Sequence, residues 1–228
     1  MMNSDQVKDI IQWDVRTWSK ALPWWERHLP VIKSGKALEL GGREGGLSLW
    51  LASKGYDVIC SDLENTENTA KPLHIKHGLE SNVQYKDIDA MNIPYENHFD
   101  VVVFKSILGG IGRDNHPEAQ QRTFDEIKKA LKPGGILLFA ENLQASGVHR
   151  YMRKKFVRWG NSWRYVRIDE LKTFTSGFHS FNFTTTGFLS AFGRSEFQRN
   201  TLALGDEVLF NHILPADLNY VLFGVAVK

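Results

Sequence analysis

Four glycines within six residues, set between an apolar run and a helix, limit the folds open to this chain. Residues 37–64 read ALELGGREGGLSLWLASKGYDVICSDLE. Lys36 to Leu40 reads as a short strand, Leu47 to Ser53 as a helix and Tyr56 to Cys60 as a second strand. Glycines at such a junction allow a tight turn and a close backbone approach. The helix start adds unpaired N–H groups and the positive end of the helix dipole. Asp62 closes the second strand 21 residues after Gly41. In a doubly wound sheet this puts a carboxylate beside a ribose, where it can accept both hydroxyl protons. The spacing of Gly41, Gly42, Gly45 and Gly46 does not fit the dinucleotide fingerprint G-x-G-x-x-G, and no Gly-Lys-Ser/Thr follows to make a P-loop.

The alternation of strands and helices continues. Pro72 to Leu79 is expected to form a short helix with proline in its first turn. Val83 to Tyr85 reads as a weak third strand and Phe99 to Phe104 as a buried fourth. Pro117 to Leu131 is an amphipathic helix stopped by Lys132-Pro133-Gly134-Gly135, and Ile136 to Ala140 is a fifth strand. This order implies an α/β fold, a parallel sheet with helices on both faces. The first 30 residues read as helical, capped by Ser4, with Val7, Ile10, Ile11, Val15 and Trp18 at helical spacing and a break or restart at Pro23. After residue 142 the pattern changes. Val148 to Arg158 is a basic helix, Ile168 to Thr175 another helix, Phe178 to Phe183 alternates like a strand, and Tyr220 to Val227 is a last apolar strand. No linker separates these pieces. The expectation is one domain, with a helical cap (1–34), a core (35–142), a lid or substrate region (143–215) and a closing strand (216–228).

Three further segments fall into place around the glycine turn. Glu39 stands two residues before Gly41, and Gly45 follows four after it. Asp89-Ala90-Met91-Asn92-Ile93-Pro94-Tyr95 comes after the third strand. Phe99-Asp100-Val101-Val102-Val103 leads to a turn at Lys105-Ser106, and Leu131-Lys132-Pro133-Gly134-Gly135 precedes the fifth strand. Together these resemble the ordered motifs of the class I S-adenosylmethionine (SAM)-dependent methyltransferases: acidic-x-G-x-G-x-G, D-A-x-x-L-P-F, F-D-V-V and L-K-P-G-G. The chain departs from the first motif at Arg43, which holds the middle glycine position. The resemblance covers residues 36 to 142 well and 220 to 227 more loosely. It implies a Rossmann-like, seven-stranded, mostly parallel sheet with an antiparallel C-terminal strand. It implies SAM as cofactor and S-adenosylhomocysteine as product. Glu39, Gly41, Gly42, Arg43, Gly45, Asp62, Leu63, Asp89, Ala90 and Lys105 would then be cofactor-binding, with Arg43 reaching the SAM carboxylate. Asp89 would meet the adenine amino group, and the Ala90 N–H a ring nitrogen. Family members also lay an aromatic from the N-terminal helix over the cofactor. Trp13 and Trp18 are candidates, Trp18 the better placed.

Methyl transfer needs alignment and exclusion of water more than covalent help, because the methyl group is already electrophilic. A hydroxyl or ammonium acceptor also calls for a base. His149 lies just after the fifth strand, at the edge where an acceptor would sit, and Glu141 could orient it or act itself. The alternative for His149 is a solvated residue in a basic helix. His74 and His77 have no third ligand in view, so no metal site is expected. Charge is uneven: residues 1–141 carry 17 basic against 20 acidic side chains, and residues 142–228 carry 11 against 6. Seven of these cations lie between Asn142 and Arg167, with no acidic residue among them. This segment can bind an anionic acceptor such as a sugar phosphate, rest on an anionic membrane beside a lipid-linked acceptor, or be a solvated face. Nucleic acid is disfavoured by the modest net charge of +2.

The expected activity is methylation, preferably on oxygen, of a small-molecule or glycan-type acceptor. A non-catalytic protein on the same fold and an NAD-type oxidoreductase are the alternatives. No apolar run approaches the roughly 18–20 residues of a membrane span, and the sequence MMNSDQVKDII has no secretion-signal pattern. Cys60 is the only cysteine, which excludes an intramolecular disulfide and a multi-thiolate zinc site. A cytoplasmic setting is the natural reading.

Overall fold

The computed structural model describes residues 2–29 and 35–228. Seven strands form one sheet in the order β3-β2-β1-β4-β5-β7-β6. These are β1 (Gly35–Leu40), β2 (Tyr56–Asp62), β3 (Val83–Asp87), β4 (Phe99–Lys105), β5 (Leu131–Asn142), β6 (Ser180–Thr186) and β7 (Val221–Val227). The first five run parallel, β7 pairs antiparallel with both β5 and β6, and six strands therefore share one direction. The sequence-based fold is observed. The central strands are apolar on both faces because helices cover both. Val101, Val102, Val103 and Phe104 of β4 have no exposed surface. The part of the expected boundary at residue 34 that falls within 30–34 lies outside the described residues.

The N-terminal cap consists of α1 (Ser4–Ile11), α2 (Val15–Trp18) and α3 (Ala21–Glu26). The cap of α1 is Asn3, not Ser4: the Asn3 side chain accepts from the Gln6 N–H, and Gln6 reciprocates. Continuous helical spacing is broken at Gln12 and Asp14, both with positive φ. Two groups far along the chain hold that break. Glu196 accepts from the Asp14 and Val15 N–H groups at 2.7 and 3.2 Å, and the Tyr220 hydroxyl donates to the Asp14 carboxylate. Pro23 sits in the first turn of α3, where a missing N–H costs nothing.

Behind β1 comes α4 (Gly46–Ser53), with Gly46 to Ala52 buried. It is covered on both sides, by the sheet and by α1. A Cβ at Gly46 would lie 2.1 Å from the Ile10 carbonyl oxygen, so the end of α1 rests directly on the start of α4. Next, α5 (Thr66–Lys76) starts earlier than expected and carries Pro72 within it. Its start is fixed by Asp87 of β3, whose carboxylate accepts from the Thr66 N–H and hydroxyl at 3.0 and 2.7 Å. That anchor sets the helix start ahead of Pro72, which costs it one backbone bond.

The longer of the remaining α-helices are α6 (Leu108–Ile111), α7 (Pro117–Ala130), α8 (Gly147–Phe156), α9 (Ile168–Phe174) and α10 (Glu196–Gly205). The segment expected as one lid is divided by β6, a member of the sheet. One part, 143–167, covers the ends of β4 and β5. The other, 188–213, packs on the N-terminal cap through Arg16 and Lys20 to Glu207, at 2.6 and 3.0 Å. Among the described residues no helix is long and apolar enough to cross a membrane.

Candidate active site

The C-terminal ends of β1, β2 and β4 meet at the glycine turn. Gly41 leaves β1 with φ +62° and Gly45 opens α4 with φ +76°, a left-handed geometry that glycine adopts without strain. Arg43 also adopts positive φ, +50°, at the position where the resembled motif has glycine. Its conformation is held by Asp62, whose Oδ2 accepts the Arg43 N–H at 2.9 Å. The loop keeps the glycine-type backbone and exposes an arginine side chain. The Gly42 N–H donates to the Ser61 carbonyl at 2.8 Å, closing the turn onto β2.

Glu39 is buried under this turn rather than open to a ligand. Its two oxygens accept the Leu47 and Ser48 N–H groups at 3.1 and 2.7 Å, the first free donors of α4. Burial pushes its carboxyl up to about 7, against these bonds, which favour the ionised form. It is a positioning residue. His74 supports the turn from the other side: Nε2 donates to the Gly45 carbonyl at 2.9 Å, which leaves Nδ1 to accept from the Tyr85 hydroxyl at 3.0 Å. His77 bonds instead to Asp9.

Asp62 stands half-buried at the end of β2, with Leu63 70% exposed beside it. Asp89 is exposed after β3, its Oδ1 accepting the Met91 N–H at 2.8 Å, and Ala90 is buried in the apolar cluster of this face that also holds Ile93 and Phe99. The Asp62 oxygens accept the Arg43 and Leu63 N–H groups. An ionised carboxylate has about four lone-pair sites, so each oxygen can accept one more donor. Two carboxylates for hydroxyl and amino donors, an exposed aliphatic face and a glycine turn fit the adenosyl part of SAM.

Lys105 ends β4. Its ammonium donates to the Ile11 carbonyl and lies 4.1 Å from the Trp13 ring centre and 5.5 Å from that of Trp18. Burial pushes it down to about 7. Trp18 has no exposed surface, and its indole N–H donates to Asp14 at 3.2 Å. Half-buried Trp13, packed edge-on against it, is the tryptophan that keeps an open surface.

Two expected catalytic groups stand elsewhere than the sequence suggests. Glu141 is buried, with its oxygens accepting the Leu108 and Asn142 N–H groups at 2.8 Å each; it fixes the turn after β4 and has no hydrogen bond to His149. Burial pushes it up to about 7. His149 is neither solvated nor open to an acceptor. Its Nε2 bonds to the Phe188 carbonyl at 2.9 Å, so that nitrogen carries the hydrogen, and Nδ1 accepts from the Ser146 hydroxyl at 2.7 Å. Phe192 stacks on the ring, and burial pushes the imidazole down. Sequence reasoning missed the buried cluster beside it, in which Asp14, Thr17, Ser190, Asp206 and Tyr220 join the cap to the 188–213 segment. No local signal marks it, because its members come from both ends of the chain.

The sheet order and the glycine turn define a Rossmann-like fold of the class I methyltransferase kind. Residues 38–139 match the family model described as a methyltransferase domain. The chain is 30% identical over 150 residues to a demethylmenaquinone methyltransferase of Staphylococcus saprophyticus, covering 61% of this chain and 58% of that one. It is 29% identical over 130 residues to an O-methyltransferase of Penicillium aethiopicum, covering 53% of this chain and 29% of that one. It thus spans less than two thirds of the length of these relatives. Among solved structures, phosphoethanolamine N-methyltransferase 2 of Haemonchus contortus, in complex with SAM, superposes with a TM-score of 0.61. That match has 22% identity and covers 92% of this chain and 52% of that one.

Proposed function

We propose that this chain transfers a methyl group from SAM to an oxygen of a small-molecule acceptor, glycan intermediates included. The observation that carries the reading is the Asp62–Arg43 contact. It keeps the turn in its glycine-type shape despite the arginine and leaves carboxylate lone pairs at the end of β2. The same contact argues against a degenerate, non-catalytic site.

SAM, when bound, supplies an electrophilic methyl carbon. The chain's own part is to bind, orient and dehydrate. Asp62 and Asp89 would accept from the ribose hydroxyls and the adenine amino group, and Leu63 would cover the ring. The α1–α2 segment with Trp13 would exclude water from the cofactor. Methylation of a hydroxyl releases a proton. Lys105 is suited to take it as the free amine, because burial brings its ammonium down to about 7 and it ends β4 beside Trp13. The relatives include methyltransferases named for oxygen and for nitrogen; a base at Lys105 would serve a hydroxyl or an ammonium acceptor, and oxygen is kept as the sequence-based preference. We take the chain as one functional unit, with 143–167 as the acceptor-side wall. A cytoplasmic setting suits the single, buried thiol of Cys60.

Calorimetric titration with SAM, S-adenosylhomocysteine, NAD and NADP tests the cofactor. Micromolar-range binding of the first two and no response to the others is expected. Asp62→Ala and Asp89→Ala should each weaken that binding by about tenfold or more, the value of one charge-assisted hydrogen bond. Unchanged affinity in both would remove the cofactor assignment.

A further inference from the structure

A cavity of about 730 Å³ lies between α8 and residues 160–167, away from the glycine turn. Its walls are tied to the ends of β4 and β5. Leu143 bridges to Val166, and the Arg164 N–H donates to the Gly109 carbonyl of α6 at 3.0 Å. Trp163 packs so closely on α6 that a Cβ at Gly109 would fall 1.6 Å from its indole nitrogen. The cofactor residues cluster around β1, β2 and β3. The cavity adjoins the next two strands of the same sheet, and its volume is that of a small-ligand site.

The charges in this cavity are of two kinds. Arg164 and Arg167 are neutralised by Glu170 and Asp169. Arg150, Arg153 and Lys154 have no carboxylate partner among the described residues, although all three line the cavity. Arg153 is the most constrained. One nitrogen donates to the Leu143 and Gln144 carbonyls at 2.7 and 3.2 Å, and the guanidinium lies 4.0 Å from the Tyr165 ring centre. The remaining donors are free, in an orientation already fixed by packing. A buried cation without an anion is costly to the fold. That applies to half-buried Arg153; with Arg150 and Lys154 exposed at the same cavity and Trp163 and Tyr165 beside them, the three cations make a site for an anion attached to something larger.

We propose that this cavity binds the acceptor, and that the acceptor carries a phosphoryl group held by Arg150, Arg153 and Lys154. Naming the ligand an acceptor rests on the methyl-transfer reading above; the anion site itself does not. A dianionic phosphoryl group answers three unpaired cations better than a single carboxylate does. The aromatic walls take the rest of the molecule.

The test uses phenyl phosphate, benzoate and phenol as probes in calorimetry on the full chain, with S-adenosylhomocysteine titrated in parallel. Phenyl phosphate should bind at roughly millimolar strength or better, and benzoate and phenol at least about tenfold more weakly. The double variant Arg150→Gln/Lys154→Gln, both exposed positions, should weaken phenyl phosphate by about tenfold while S-adenosylhomocysteine binding is unchanged. Arg153→Gln should do the same, and circular dichroism of that variant shows whether it is folded. Equal binding of phenyl phosphate and phenol, or a double variant that binds phenyl phosphate as the parent does, overturns the site. Benzoate binding as tight as phenyl phosphate overturns the phosphoryl assignment. Phenyl phosphate bound by a chain that ignores S-adenosylhomocysteine leaves the anion site standing and removes the methyl-transfer reading instead.

Discussion

Two glycines occupy the same place in two helices, and replacing each with alanine should have opposite effects. Gly46 and Gly147 are the first residues of α4 and α8. At Gly147 a Cβ would meet nothing closer than an Arg150 nitrogen at 3.7 Å, and the backbone is not left-handed. Gly147→Ala should therefore stabilise by about 0.4–1 kcal/mol, chiefly by restricting the unfolded chain. At Gly46 the new carbon would lie 2.1 Å from the Ile10 oxygen and 2.8 Å from its carbonyl carbon. Carbon rests at roughly 3.5 Å from its neighbours, so α1 must retreat by about 1 Å or more. Overpacking of this kind costs about 1–3 kcal/mol, of which the better helix propensity of alanine returns at most about 1. At 2.1 Å the clash falls at the upper end of that range, so the net loss is about 1–2 kcal/mol. Since α1 ends at Ile11, whose carbonyl holds Lys105, the retreat should also weaken S-adenosylhomocysteine binding. Urea unfolding followed by tryptophan fluorescence gives the stability of each variant, and calorimetry gives the affinity. A Gly46→Ala protein as stable as the parent, with unaltered affinity, would refute the reasoning.

Other expectations follow from the buried and paired charges. The rate with a hydroxyl acceptor should rise with pH through about 7, as the Lys105 ammonium loses its proton. Lys105→Met should abolish that limb of the pH profile; a variant with the parent profile removes the lysine from the role. Tyr220→Phe deprives buried Asp14, whose carboxyl burial already pushes up, of its hydroxyl donor. A loss of about 1–3 kcal/mol in urea titrations is expected, and an unchanged midpoint would contradict the burial argument. Arg16 and Lys20 hold the Glu207 carboxyl down at about 2, from 4.5. Their contribution is present above pH 4.5 and lost as pH falls through about 2. The pair is about one-third exposed, so it should amount to no more than about 1 kcal/mol. Glu207→Gln should flatten that part of the stability profile, which acid titration of both proteins reads directly.

The α/β core was legible because its signals are local. The β1–α4–β2 unit needs only an apolar run, glycines and a second apolar run, and the structure places all three within a residue or two of expectation. What escaped the sequence depends on distant partners. In the sequence, His149 reads as a candidate base or as a solvated residue among Arg150, Arg153 and Lys154. It is buried because Phe188, Phe192 and Tyr220 pack around the inner side of α8. The break after Ile11 has no proline to announce it; it exists because Glu196 offers a carboxylate to two backbone N–H groups there. The position of Glu39 beside the site was evident from its motif, and that of Glu141 from its place at the end of the fifth strand. That both face inward, onto the first N–H groups of α4 and α6, depends on tertiary packing.

The contact between Glu196 and the Asp14 N–H joins residues 182 positions apart, and that of Tyr220 with Asp14 spans 206. Loops of that length are slow to close, and on a growing chain they cannot close until Glu196 and Tyr220 have been made. The roof over the glycine turn is thus written first and fastened last. Until those residues emerge from the ribosome, the nascent protein would have a formed turn and an unlatched cover.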